Sequence, residues 1–145
     1  MTTLKMPKVD RKVLKNRANI FQDICKFTKK ENVLSEPEEL KPYETDGLSA
    51  YKQTPMLVVL PENTNEVSKI LSYCNKNKIK VVPRGAGTGL AGSALPLADC
   101  ILLGLGKFNK ILDIDYKNRC VVAQPGVTNL SLTLAVQNEG FYYAP

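Results

Sequence analysis

The stretch Pro83-Arg84-Gly85-Ala86-Gly87-Thr88-Gly89-Leu90-Ala91-Gly92 decides how this chain is read. Half of the residues from Gly85 to Gly92 are glycine. Glycine takes positive φ at little cost and lets a second group approach the backbone closely. Consecutive N–H groups in such a loop converge into an anion-binding nest. A diphosphate asks for several donors and little side-chain bulk, and each hydrogen bond to a charged group contributes roughly 1.5–3 kcal/mol net. Thr88 offers a hydroxyl, and Arg84 offers a positive charge or a partner for a carboxylate elsewhere. The plainer alternative is a tight turn between two strands, for which fewer glycines suffice.

The segments on either side place this loop. Upstream, Met56–Leu60 is a short apolar run, the pattern of a strand buried on both faces. Asn63 followed by Glu66 has the arrangement of a capping box, with Asn in place of Ser or Thr. Val67, Ile70, Leu71 and Cys74 then form the stripe of a helix, and Ile79–Pro83 reads as a second strand. Strand, helix and strand make a βαβ unit with parallel strands and a right-handed crossover. Downstream, Cys100–Leu103, Lys110–Asp115 and Cys120–Gln124 read as strands, the last two joined by a turn at Tyr116–Arg119. Thr128 caps a predicted helix through Leu130, Leu134 and Val136, with Gly140 as its stop. Toward the N-terminus, residues 9–30 carry Leu14, Ala18, Phe21, Ile24 and Cys25 at helical spacing. Residues 31–55, with prolines at 37, 42 and 55, read as a connector with little regular structure. The domain reading is therefore a helical extension and connector over 1–55 and the loop-bearing domain over 56–145.

Three kinds of phosphate loop compete for Arg84–Gly92. A Walker A loop needs Lys and then Ser or Thr after its last glycine, but Ser93-Ala94 follows Gly92. Gly87, Gly89 and Gly92 spell the GxGxxG of a Rossmann loop, with Asp113 and Asp115 downstream as candidate ribose partners. That loop must open a crossover helix, whereas only Ser93–Asp99, interrupted by Pro96, separates Gly92 from the next strand. The third kind is a nest lying between strands with no helix behind it.

On this pattern Pro83–Gly92 resembles the FAD pyrophosphate loop of the vanillyl-alcohol oxidase/p-cresol methylhydroxylase flavoproteins. Pro42-Tyr43-Glu44-Thr45-Asp46-Gly47-Leu48-Ser49-Ala50-Tyr51 and Pro125-Gly126-Val127 are similar to one branch, the glycolate oxidase FAD-linked subunit and the D-lactate dehydrogenases. Phe141-Tyr142-Tyr143-Ala144-Pro145 matches too, and stops inside a segment that in the family continues toward the flavin. The Asp46–Tyr51 stretch argues against a flavin-dependent reductase of cell-wall synthesis.

The resemblance implies an α+β, PCMH-type FAD-binding fold. The chain would hold its first subdomain, a βαβ unit with a small mixed sheet, preceded by an N-terminal helix and truncated at the C-terminus. It implies that Pro83, Arg84, Gly85, Ala86, Gly87, Thr88 and Gly89 line the FAD pyrophosphate, that Leu90 and Gly92 finish the loop, and that Pro145 stands near the next FAD-contacting segment. Pro125 and Gly126 either shape the cofactor cleft or form a plain turn before a helix. Tyr142 and Tyr143 are expected as wall or core residues, and Asp46, Ser49 and Tyr51 match the family without a derivable role. The implied chemistry is oxidation of a 2-hydroxy acid to a 2-oxo acid, with the substrate handled by a C-terminal domain and with partner oxidase subunits possible. The alternative from another class is a stand-alone dinucleotide-binding module without redox activity.

Bulk properties bound the rest. The chain has 145 residues, 20 Lys and Arg against 14 Asp and Glu, and a net charge of +6. The excess divides evenly between the first 55 residues and the remainder. No stretch interleaves aromatics with dense basic residues, so a nucleic-acid partner is not expected. The four cysteines form no CxxC pair, which leaves no zinc signature. There is no histidine, and no catalytic or metal-ligating residue is assigned within the chain. The N-terminus MTTLKMPKVDRK lacks the apolar core of a secretory signal, no run suits a transmembrane span, and a cytoplasmic setting with reduced thiols is the expectation.

Overall fold

A computed structural model describes residues 6–144 of the chain. Its centre is a four-stranded mixed sheet in the order β1-β2-β4-β3. The strands are β1 (Val33–Leu34), β2 (Leu57–Val59), β3 (Lys80–Arg84) and β4 (Cys100–Gly104). Strands β2, β4 and β3 run parallel, and β1 pairs antiparallel with β2. The predicted βαβ unit is therefore present through α4 (Thr64–Asn77), but its two strands are not neighbours, because β4 inserts between them.

Alternation along β2 and β4 explains why both read as continuous apolar runs. Leu57, Val59, Ile101 and Leu103 face one side and pack with Ile20, Ile24, Ile70 and Cys74. Val58 and Leu102 face the other side and pack with Leu40. Successive strand residues point to opposite faces, so a strand covered on both must be apolar throughout. Helix α2 (Arg17–Ile24) and α4 cover the first face, and the short α3 (Pro37–Leu40) covers the second.

The predicted cap of α4 forms. Asn63 Oδ1 accepts from the Glu66 amide at 3.0 Å. Glu66 returns the contact to the Glu62 amide and the Asn63 side chain, at 2.9 and 2.7 Å, where a capping box would reach the Asn63 amide. Ile70 and Cys74 are buried as expected, whereas Leu71 is 43% exposed, so the buried stripe is narrower than predicted.

Two expectations for the N-terminal third are corrected. The single helix over 9–30 is instead α1 (Arg11–Lys15) and α2, broken at Asn16 and ended at Ile24. Tertiary contacts override the periodicity beyond that point: Phe27 stacks edge-on against Tyr73 at 5.7 Å, and Thr28 Oγ1 donates to Glu66 at 2.8 Å. The connector over 31–55 is not irregular throughout. It supplies β1 at the sheet edge and α3, whose Pro37 takes a first-turn position where its missing N–H is not needed. Val33 and Leu40 carry this segment into the same packing as the later strands.

A second, two-stranded sheet pairs β5 (Ile111–Asp115) with β6 (Cys120–Ala123) antiparallel. Helix α5 (Asn129–Val136) follows, capped by Thr128 Oγ1 accepting from the Ser131 amide at 3.1 Å. Leu132 is its buried residue, while Leu130 and Leu134, on the predicted path, are exposed. Gly140 ends the region at φ +78°. Among the described residues, no helix is long and apolar enough to cross a membrane.

Candidate cofactor site

The glycine-rich loop leaves the C-terminal end of β3. No helix begins at Gly92, where a turn forms as the Leu95 amide donates to the Gly92 carbonyl at 3.2 Å. The next regular element is β4. Gly87 and Gly92 both sit at φ +72°, in the left-handed region that only glycine enters freely. Pro83, Gly85, Ala86, Thr88, Gly89 and Leu90 are exposed, and Arg84, Gly87 and Gly92 are half-buried.

Among the described residues, no amide from Gly85 to Ser93 donates to a protein acceptor. The first amide after the loop to find one is Ala94, which donates to Asp46 Oδ2 at 3.3 Å. A run of backbone donors left open on an exposed glycine-rich loop is the donor set that an anion nest requires.

Arg84 forms no ion pair among the described residues. Its guanidinium donates to the Thr45 carbonyl at 2.5 Å and lies 5.7 Å from the centroid of the Tyr43 ring. It fills the space beside Gly87, where a Cβ would overlap it. The positive charge of Arg84 therefore stands at the loop, bound to a neutral oxygen and stacked on a ring.

Gly85, Ala86 and Thr88 form one wall of a cleft of about 450 Å³. Gly106 and the segment from Pro125 to Leu130 form the other. Gly126 packs tightly there: its amide donates to the Phe108 carbonyl at 2.7 Å, and a Cβ would lie 2.5 Å from the Leu105 oxygen. The Pro125-Gly126 segment is thus both a tight turn and a cleft wall, and the two readings offered by the sequence are compatible. Tyr142 and Tyr143 are 76% and 40% exposed, so the structure excludes them from the core. They edge a separate apolar hollow of about 190 Å³, beside Tyr116 and Phe141. The expected contact residue Pro145 lies outside the described residues.

Sequence reasoning missed the support behind the loop. Thr45, Asp46 and Gly47 all touch it, through the Arg84 guanidinium, the Ala94 amide and the carbonyls of Thr88 and Gly89. The only signal was the match of the Asp46–Tyr51 stretch to the family, which gave no physical role.

Two charge clusters tie distant segments together, the one at Asp99 standing at the start of β3 and β4, at the end of the sheet opposite the loop. Glu62 receives Lys29 at 3.0 Å and Lys107 at 3.3 Å, and the buried Asn32 side chain at 3.1 Å. Lys29, then Asn32, hold its carboxyl down at about 2. Asp99 is almost fully buried; burial raises its pKa, but Lys80 at 2.7 Å and the Asp10 amide outweigh that and leave it below the usual carboxylate value.

With this geometry in view, the comparisons with known proteins converge. The family described as FAD binding domain matches residues 55–145. Glycolate oxidase subunit GlcD of Escherichia coli (strain K12) is 50% identical over 113 residues, which is 78% of this chain and 23% of that one. The mitochondrial D-2-hydroxyglutarate dehydrogenase of Arabidopsis thaliana is 37% identical over 110 residues, 76% of this chain and 20% of that one. Among solved structures, p-cresol methylhydroxylase with substrate bound superposes with a TM-score of 0.76 at 26% identity, over 91% of this chain and 26% of that one. The chain thus spans about a fifth to a quarter of the length of the curated relatives it matches.

Proposed function

Because this chain belongs to the FAD binding domain family, we propose that it holds the diphosphate of FAD in a flavoprotein that oxidises a 2-hydroxy acid to a 2-oxo acid. The observation that carries the reading is the run of open amides from Gly85 to Ser93 on a loop that lines a cleft. The residues present fit the group. Gly85, Ala86, Gly87, Thr88 and Gly89 offer backbone donors, Thr88 adds a hydroxyl, and Arg84 adds charge held at the loop by Thr45 and Tyr43. Pro83 feeds the loop from β3, and Leu90 and Gly92 complete its turn. Pro145, by the family resemblance, precedes the next stretch toward the flavin.

When bound, FAD supplies the two-electron acceptor for the oxidation. The work of this chain is binding and orientation. Open amides concentrate partial positive charge that would face the two phosphates, and the loop carries no side chain longer than threonine between Gly85 and Gly89. No residue of this chain is given a catalytic role. Relatives named as a glycolate oxidase subunit and as a D-2-hydroxyglutarate dehydrogenase support the 2-hydroxy-acid class, and the word subunit in the first supports partner chains. The four free thiols suit a reducing, cytoplasmic setting. The first 55 residues act in this reading as an extension built onto the loop-bearing region 56–145.

Titration of the chain with FAD, followed by flavin fluorescence with inorganic pyrophosphate as competitor, tests the cofactor part. Weak saturable binding displaced by pyrophosphate is expected. Tight one-to-one binding would favour the stand-alone module, and no binding of either ligand at millimolar concentration would reject the loop assignment. The substrate part is tested on a protein spanning the relatives' full length, by dye reduction with glycolate, D-lactate and D-2-hydroxyglutarate. Reduction with none of them would reject the 2-hydroxy-acid class.

A further inference from the structure

We propose that Asp46 and Gly47 are positioning residues, which set the outward aim of the phosphate-loop amides by bracing the loop from behind. The inference rests on the diphosphate reading above and adds to it residues that touch no ligand.

The brace is built from both residues. A Cβ on Gly47 would lie 2.5 Å from the carbonyl oxygen of Thr88 and 2.8 Å from that of Gly89. Only a glycine lets the two backbones come this close, and the contact presents both carbonyl oxygens to Gly47. The described peptide bonds are trans, so each amide points opposite to the carbonyl of its own peptide plane. With the carbonyls of Thr88 and Gly89 turned toward Gly47, the N–H groups of Gly89 and Leu90 turn away from it. Neither finds a protein acceptor among the described residues.

Asp46 locks the arrangement at a second point. Its side chain is buried, with the residue only 6% exposed. One carboxylate oxygen accepts from the Leu48 amide at 3.0 Å and closes the turn that carries Gly47. The other accepts from Ala94, just past the loop. The segment is itself held shut, as Thr45 Oγ1 donates to the Tyr51 carbonyl at 3.0 Å and the Gln53 amide to the Glu44 carbonyl at 2.7 Å. Adding the Arg84 contact to Thr45, the segment grips the loop at its start, middle and end.

The test uses the chain with Gly47→Ala and Asp46→Asn, read by pyrophosphate affinity, by thermal unfolding and by ¹H–¹⁵N amide spectra. The methyl of Gly47→Ala pushes the Thr88–Leu90 backbone out of place. Asp46→Asn keeps the shape but sets an amide against the Ala94 N–H. Each is expected to weaken pyrophosphate binding about tenfold or more, the equivalent of one lost charged hydrogen bond. The distinguishing sign is local: ligand-induced shifts shrink at Gly89 and Leu90 and persist at Gly85 and Ala86. If Gly47→Ala does not fold, Asp46→Asn alone decides. Folded variants that bind pyrophosphate within about twofold of the parent chain would overturn the brace and leave the phosphate-loop assignment standing. A parent chain that binds no pyrophosphate would overturn the assignment, and the brace with it.

Discussion

Gly87→Ala combines a backbone cost and a side-chain cost that the structure separates. Gly87 sits at φ +72°, where an L-residue is strained by roughly 1–2 kcal/mol. The new methyl would also occupy the space of the Arg84 guanidinium. Arg84 would then leave the Thr45 carbonyl, 2.5 Å away, and the Tyr43 ring. Such a charged hydrogen bond is worth roughly 1.5–3 kcal/mol when buried, and less at this half-exposed side chain. The guanidinium is the movable end of a flexible side chain, so backbone strain is the larger part of the cost, and a loss of about 1–3 kcal/mol follows, against a total stability of roughly 5–15 kcal/mol for a domain. Gly85 is the internal control, since its φ is not left-handed and a Cβ there meets nothing within 4 Å. Urea unfolding followed by circular dichroism measures both. The midpoint of Gly87→Ala should fall by about 0.5–1.5 M, taking a slope of roughly 2 kcal/mol per M. Gly85→Ala should stay within about 0.5 kcal/mol of the parent. Equal midpoints for the two variants would refute the geometry assigned to Arg84 and Gly87.

Other expectations follow from the same structure. Glu62 has a folded pKa of about 2 against an ordinary 4.5, so its contribution to stability is complete above pH 4.5 and is lost as the pH falls toward 2. Unfolding free energies measured across that window should drop less steeply for Glu62→Gln than for the parent, and parallel curves would count against the Lys29–Glu62–Lys107 cluster. Burial pushes the thiols of Cys74 and Cys100 up to about 11, whereas Cys120 is exposed. Mass spectrometry after brief iodoacetamide treatment should find Cys120 labelled first and Cys74 and Cys100 labelled only in urea. Leu102 is fully buried on the face of the sheet that Leu40 covers, so Leu102→Ala should cost about 2–5 kcal/mol in the same unfolding assay.

Much of this is legible in the sequence, for identifiable reasons. The run at Met56–Leu60 announces a doubly covered strand because both faces of β2 are packed, and Cys100–Leu103 is readable as a strand, though its equal burial on both faces is not. Asn63 and Thr128 were readable as caps because a short polar side chain before an apolar helix has few other uses. The insertion of β4 between β2 and β3 was not legible, since strand order depends on packing between distant segments. Nor was β1, two residues long and too short to show a period. At the site, the glycine spacing marked the loop, but nothing local marked its support. Asp46 acts across 48 positions of sequence, through one buried carboxylate, and Gly47 reaches Thr88 through one missing Cβ.

The account rests on the amides of the glycine-rich loop being the anion-binding surface. A ¹H–¹⁵N titration of the 145-residue chain with inorganic pyrophosphate observes those amides directly. Saturable shifts centred on Gly85 to Ser93, with little change in β2 or α4, are the expected result. Saturable shifts that cluster elsewhere, or unmoved loop amides at millimolar ligand, would contradict it.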